Sequence, residues 1–112
     1  MKVAVVGSRG AKGQIAGKIV DELPKGCTEI VSGGAAGVDS IAEMVAKKMN
    51  IPLKVFLPDY DLYGKMAPLI RNAQIVDYAD FILAFWDFES TGTQHIISEC
   101  IKKNKKCKII EI

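Results

Sequence analysis

Apolar residues recur along the chain in two rhythms, short unbroken runs and stripes at helical spacing, and the two alternate. "KVAVV" (2–6) is an unbroken run closed by Gly7, a buried strand by its length and valine content. "AKGQIAGKIVDEL" (11–23) sets Ile15, Ile19 and Leu23 four apart, the stripe of a helix that Gly13 and Gly17 weaken by about 1 kcal/mol each relative to alanine. "EIV" (29–31) predicts a second strand. Val38, Ile41, Ala42, Val45, Ala46 and Met49 then give the clearest helical periodicity in the chain. "LKVFL" (53–57), fenced by Pro52 and Pro58, predicts a third strand. The polar, aromatic "PDYDLYGK" (58–65) reads as a loop leading to a helix around 67–78. "DFILAFW" (80–86) has the continuous apolar character of a central strand covered on both faces. "GTQHIISECIKKN" (92–104) puts Ile96, Ile97, Cys100 and Ile101 on one helical face, and "KIIEI" (108–112) closes the chain as a last strand.

Five strands alternating with four helices imply an α/β fold, a three-layer Rossmann-like sandwich around a parallel sheet with right-handed crossovers. The 112 residues carry no linker or low-complexity tract, so residues 1–112 read as a single domain. Periodicity leaves the strand order open, and the loops bear on it. "GSRG", "SGGAAG" and "ESTGT" follow the first, second and fourth strands. Ligands of open α/β sheets bind beyond the carboxyl ends of the strands, where the winding reverses. Order 3-2-1-4-5 puts the loops of strands 1 and 4 on either side of that point, with the loop of strand 2 next door. Order 2-1-3-4-5 would bring in the loop after strand 3 instead, so 3-2-1-4-5 is preferred.

Each of these loops ends at a helix N-terminus, where backbone N–H groups lack intrahelical partners and the dipole favours an anion. Gly7, Ser8 and Arg9 offer close backbone approach, a hydroxyl and a guanidinium able to grip phosphate or carboxylate bidentately. Ser32, Gly33, Gly34 and Gly37 form a second loose-backbone wall, and Asp39 follows directly as an acceptor for a ribose hydroxyl or base N–H. Ser90, Thr91, Gly92 and Thr93 supply hydroxyls and amides suited to phosphate, although the same run also serves as an ordinary N-cap. Arg71 and Asn72 interrupt an apolar helical pattern and lie one loop away from the same edge. Trp86, ending the fourth strand, is a core residue or a stacking face. Neither a GxGxxG nor a GxxxxGK[ST] fingerprint is present.

Composition narrows the classes. Apolar residues make up 49% and charged residues 25%, a globular balance, and the net charge of +2 does not by itself point to nucleic acid. Much of the basic excess sits in "KKNKKCK" (102–108), which suits a helix C-terminus. Cys27, Cys100 and Cys107 form no CxxC motif, and with one histidine there is no zinc constellation, so no metal and no cofactor are expected. The cysteine usage and the short apolar start suggest a reduced, cytoplasmic protein without a membrane span.

"VAVVGSRG", "IVSGGAAGVDSIAE", "IRNAQIVDYADFILAFWD" and "STGTQHII", in this order and spacing, resemble the SLOG superfamily. That group unites DNA-processing protein A (DprA/Smf) with the LOG, "lysine decarboxylase-like", nucleotide phosphoribohydrolases; the small stand-alone YspA-like branch is the most similar. The resemblance implies a Rossmann-like fold, a pocket for a nucleotide-derived ligand, and association into homo-oligomers. It assigns ligand-facing positions to residues 7–9, 32–39, Arg71, Asn72 and 91–93. LOG hydrolases carry GGxGTxxE, whose glutamate serves catalysis at the glycosidic bond; here that position holds Ile96. Glu99 lies six residues after Thr93, about 9 Å along a helix and turned well round it. Asp39, Asp87 and Glu89 are the carboxylates left near the mouth. The expectation is therefore a sensor or carrier module that binds a nucleotide or nucleotide-derived phosphorylated ligand, with catalysis open. An N-glycosidic hydrolase or transferase is the first alternative. DprA-like binding of single-stranded nucleic acid through Arg9, Arg71 and the Lys-rich run is the second, disfavoured by the low net charge.

Overall fold

The computed structural model describes residues Met1–Ile112. Strands β1 (Lys2–Gly7), β2 (Glu29–Ser32), β3 (Leu53–Val55), β4 (Phe81–Trp86) and β5 (Cys107–Glu111) form one parallel sheet in the order β3-β2-β1-β4-β5. This is the order the loops predict, and it belongs to an α/β Rossmann-like fold. Alternate residues of the central strands feed two cores, as a doubly covered sheet requires. Val3, Val5, Leu83 and Phe85 pack under α1 (Ala16–Glu22) and α2 (Val38–Lys48). Ala4, Val6, Ile82 and Ala84 pack under α4 (Ala67–Tyr78) and α5 (Thr91–Lys102).

Several boundaries differ from the sequence pattern. The third strand ends at Val55, because Leu57 projects into solvent at 67% exposure. The aromatic loop contains a one-turn helix, α3 (Tyr60–Tyr63), whose start is capped by Asp59 Oδ1 accepting from Leu62 N at 3.1 Å. The first helix opens as a 3₁₀ turn over Gly13–Ile15 and becomes α-helical only at Ala16, with no side chain capping its start. The last strand begins one residue early, at Cys107. Asn50 and Asn104 take left-handed φ values of 54° and 55° just past α2 and α5, closing each helix where glycine is the commoner choice.

The carboxyl ends of β1 and β4 lie side by side, and the chain leaves them in opposite directions, toward α1 and α5. The loops after β1, β2 and β4 therefore share one edge of the sheet, and the site is there. The Lys-rich segment enters β5 at the opposite edge, where Ile82 N donates to Lys106 O at 3.0 Å. No helix is long and apolar enough to cross a membrane.

Candidate functional site

A cleft of about 720 Å³ opens at the β1/β4 switch point, on the face covered by α4 and α5. Of the residues picked out from sequence, Gly7, Arg9, Asp39, Arg71 and Asn72 line it, as do Ser90, Thr91, Gly92 and Thr93 from the start of α5. Ser8, Ser32, Gly33, Gly34 and Gly37 do not; they build its walls from behind.

The walls are welded by backbone. Ser8 N donates to Phe85 O at 3.1 Å, and Ser8 O accepts from Val38 N at 3.2 Å, so the first loop caps α2. Ser8 Oγ, almost fully buried, accepts from Asp87 N at 3.0 Å and ties the β1 and β4 loops together. Gly37 has a φ of 74°, and any Cβ there would run into the carbonyl oxygens of Ser8 and Arg9. The backbone that comes close to this glycine is thus the protein's own. Gly34, at φ 73°, faces the Leu57 and Val55 side chains rather than the cleft. Ser32 Oγ, fully buried, accepts from Gly34 N at 3.2 Å and contacts Glu43 Oε2 at 3.1 Å.

Gly33 opens space for the two charged side chains of the site. A Cβ on it would lie 2.8 Å from Asp39 Oδ2 and 3.1 Å from Arg71 Nη1. Arg71 is 9% exposed; its Nη1 donates to Gly33 O at 2.5 Å and its Nε to Asn72 Oδ1 at 3.0 Å. Burial lowers the Arg71 pKa, and the Asp39 carboxylate works against that fall. Asp39 is 6% exposed, and burial pushes it up to about 6, against the Ala35 N–H that donates to Oδ2 at 3.2 Å and the Arg71 charge. A buried arginine next to a carboxylate poised near neutrality gives the cleft an acceptor whose charge follows pH.

Behind Arg71 runs a polar chain between α4 and α5. Because Arg71 Nε can only donate, it takes the Asn72 oxygen, and the Asn72 amide nitrogen faces His95 Nδ1 at 3.1 Å. His95 Nε2 lies 3.9 Å from Glu99 Oε1, and Lys102 Nζ lies 3.6 Å from Glu99 Oε2. Glu99 is buried behind the cleft, with no hydrogen bond to Oε2, and does not reach the ligand face.

At the amino end of α5, Ser90 is the cap: its Oγ accepts from Thr93 N at 3.4 Å and pairs with Thr93 Oγ1 at 3.1 Å. Asp87 Oδ1 accepts from Glu89 N at 2.9 Å and Ser90 N at 2.8 Å, and these bonds lower its pKa. The amides of Thr91 and Gly92 are left without a backbone partner, and Gly92 has nothing within 4 Å of its Cβ position. This is the open, electropositive part of the cleft. Ile96 lines the floor with an apolar side chain. Trp86 stays outside, half-buried, its Nε1 donating to Ser90 O at 3.0 Å and its ring 4.7 Å from Phe88.

Sequence reasoning did not single out Val6, Gly10, Pro68, Leu69 and Ile75, which also line the cleft, nor His95, whereas Ala35 fell within the 32–39 stretch. The Pro68–Leu69–Ile75 wall carried a signal, since it is the apolar remainder of the helix that holds Arg71. No group of three His, Cys, Asp or Glu side chains is placed to hold a metal ion.

Comparisons with known proteins bear on what such an edge does. The crystal structure of DNA processing protein A (DprA) from Streptococcus pneumoniae superposes with a TM-score of 0.78 at 20% identity, over 96% of this chain and 49% of that one. The chain thus spans about half the length of that protein, and the likeness is one of fold. A search of curated proteins found no match. The sequence model of DNA recombination-mediator protein A matches residues 1–59, more than half of the chain and both of its first two loops. The chain belongs to the DNA recombination-mediator protein A (DprA) family, within the SLOG superfamily.

Proposed function

We propose that this chain binds single-stranded nucleic acid, seating the phosphate of one nucleotide between Arg9, Arg71 and the amino end of α5. The observation that carries the reading is Arg71, a buried guanidinium held by two hydrogen bonds on the wall of a cleft whose opposite wall offers the free Thr91 and Gly92 amides. Family membership shifts the weight from a free nucleotide toward a strand, since the matching family is named for DNA recombination. The Lys-rich run adds nothing at this edge. Lys103 pairs with Asp77 at 2.9 Å, and Lys105 Nζ donates to Ala79 O, both at the far side.

A second reading, a sensor or carrier of a free nucleotide-derived ligand, rests on Asp39, Asp87 and Glu89 lining the same cleft. Carboxylates around the mouth oppose a continuous polyanion but leave room for one phosphate. Anisotropy of a labelled oligothymidylate, titrated with salt and competed with thymidine monophosphate, adenosine monophosphate or ADP-ribose, separates the readings. Strand binding predicts log affinity falling linearly with log salt, by about 0.7 per phosphate neutralised. Tight mononucleotide binding with no oligonucleotide affinity supports the second reading. No binding of either class at millimolar ligand defeats both.

A further inference from the structure

The far end of α5 carries chemistry the cleft does not use. Cys100 is buried in the last turns of α5, and Cys107, half-buried, opens β5. A tight reversal brings them together: Asn104 adopts its left-handed φ, and Lys105 N donates back to Cys100 O at 2.8 Å. Both side chains pack on the apolar cluster under α4 and α5. Both line a surface cavity of about 350 Å³ with Ile97, Lys105 and Ile109. Both residues thus border one cavity and one core cluster, on either side of the reversal. We propose that Cys100 and Cys107 are a peroxide-reactive dithiol site that closes to a reversible intramolecular disulfide.

The two thiols are unequal, and the inequality assigns their parts. The neighbouring Cys100 thiol holds Cys107 below the usual thiol range, whereas Cys107, and then burial, raise Cys100. Cys107 is also the more accessible of the two. As thiolate it attacks one oxygen of a hydroperoxide; the S–O bond forms, the O–O bond breaks, and the departing oxide takes a proton to leave as water or alcohol. Cys107 is then a sulfenic acid. Cys100 gives up its proton and attacks that sulfur; the S–S bond forms, the S–O bond breaks, and water leaves. Two electrons pass from the sulfurs to the peroxide, and a dithiol reductant returns them. Cys27 is the internal control. It lies on the other core, its thiol pointing to Glu29 O at 3.6 Å, and burial raises its pKa.

The reduced, folded protein is exposed to hydrogen peroxide, alkylated under denaturing conditions, and read by intact mass and tryptic mapping. The expected product has lost the mass of two hydrogens, carries one alkylated thiol at Cys27, links the Cys100 and Cys107 peptides, and reverts with dithiothreitol. Cys100→Ser is expected to stop at the sulfenic acid, trapped on Cys107 by dimedone. In the unmutated chain, limiting iodoacetamide should label Cys107 well ahead of Cys27, a readout independent of any variant's folding. Oxidation of Cys27 at the same rate, cross-linked dimers as the sole product, or no linked peptide would each overturn the proposal.

Discussion

Two glycines of the site do opposite things, and substitution separates them. Gly37 is locked by a positive φ against the Ser8 and Arg9 carbonyls, so Gly37→Ala should cost about 3 kcal/mol or more, read by urea unfolding. Gly92 faces open space at the cleft, so Gly92→Ala should leave stability unchanged or raised by up to about 1 kcal/mol. Its effect should fall on phosphate-ligand affinity, because the added methyl stands over the free amides. Asp39 offers a third test at this scale. Its folded pKa, raised from 3.8 to about 6 by burial, means the native state prefers the protonated acid. Its contribution is therefore fully present below pH 4 and is lost as pH rises through 6, about 3 kcal/mol in all. The difference in unfolding free energy between the parent and Asp39→Asn, followed from pH 4 to 7, should trace that loss. A flat difference would mean that Asp39 titrates normally.

Among the elements, α5 depends on its cap. Ser90→Ala removes the acceptor for Thr93 N and should lower stability by about 1 kcal/mol in thermal or urea unfolding, while leaving Arg71 in place. The helices and the central strands were readable from periodicity, and the helix expected around 67–78 is α4. The strand order was readable from where the unusual loops fell. The limits of that reading are physical. Leu57 is apolar but exposed, so hydrophobicity overextended β3. Arg71 and Asn72 stood out as polar residues in an apolar helical pattern, and both prove buried at the cleft. Ser8, Ser32, Gly33, Gly34 and Gly37 stood out equally, yet Ser8 and Gly37 join one loop to another, Ser32 and Gly34 hold their own loop, and Gly33 makes room for Asp39 and Arg71, roles that only the folded backbone reveals. The Asn72–His95 contact joins two helices 23 residues apart, a pairing that no spacing rule encodes.

At the scale of the whole molecule, the parallel crossovers give the protein a direction. The amino ends of α2, α4 and α5 all supply cleft residues, Asp39, Pro68 and Thr91 among them. At the other end, Lys105 holds the Ala79 carbonyl just past α4, and Lys47, Lys48 and Lys102 occupy the last turns of α2 and α5. Charge along these three helices is thus read out positively at one pole and neutralised by lysine at the other. The consequence concerns arrival rather than grip. Over the last few ångströms the Arg9 and Arg71 charges and the helix ends act together on an approaching phosphate, although Asp87 and Glu89 stand at the same mouth and the net charge is only +2. Stopped-flow measurements should show the association rate constant of a phosphate-bearing ligand falling as ionic strength rises, with the dissociation rate nearly constant. A ligand stripped of its phosphate should arrive at a rate indifferent to salt.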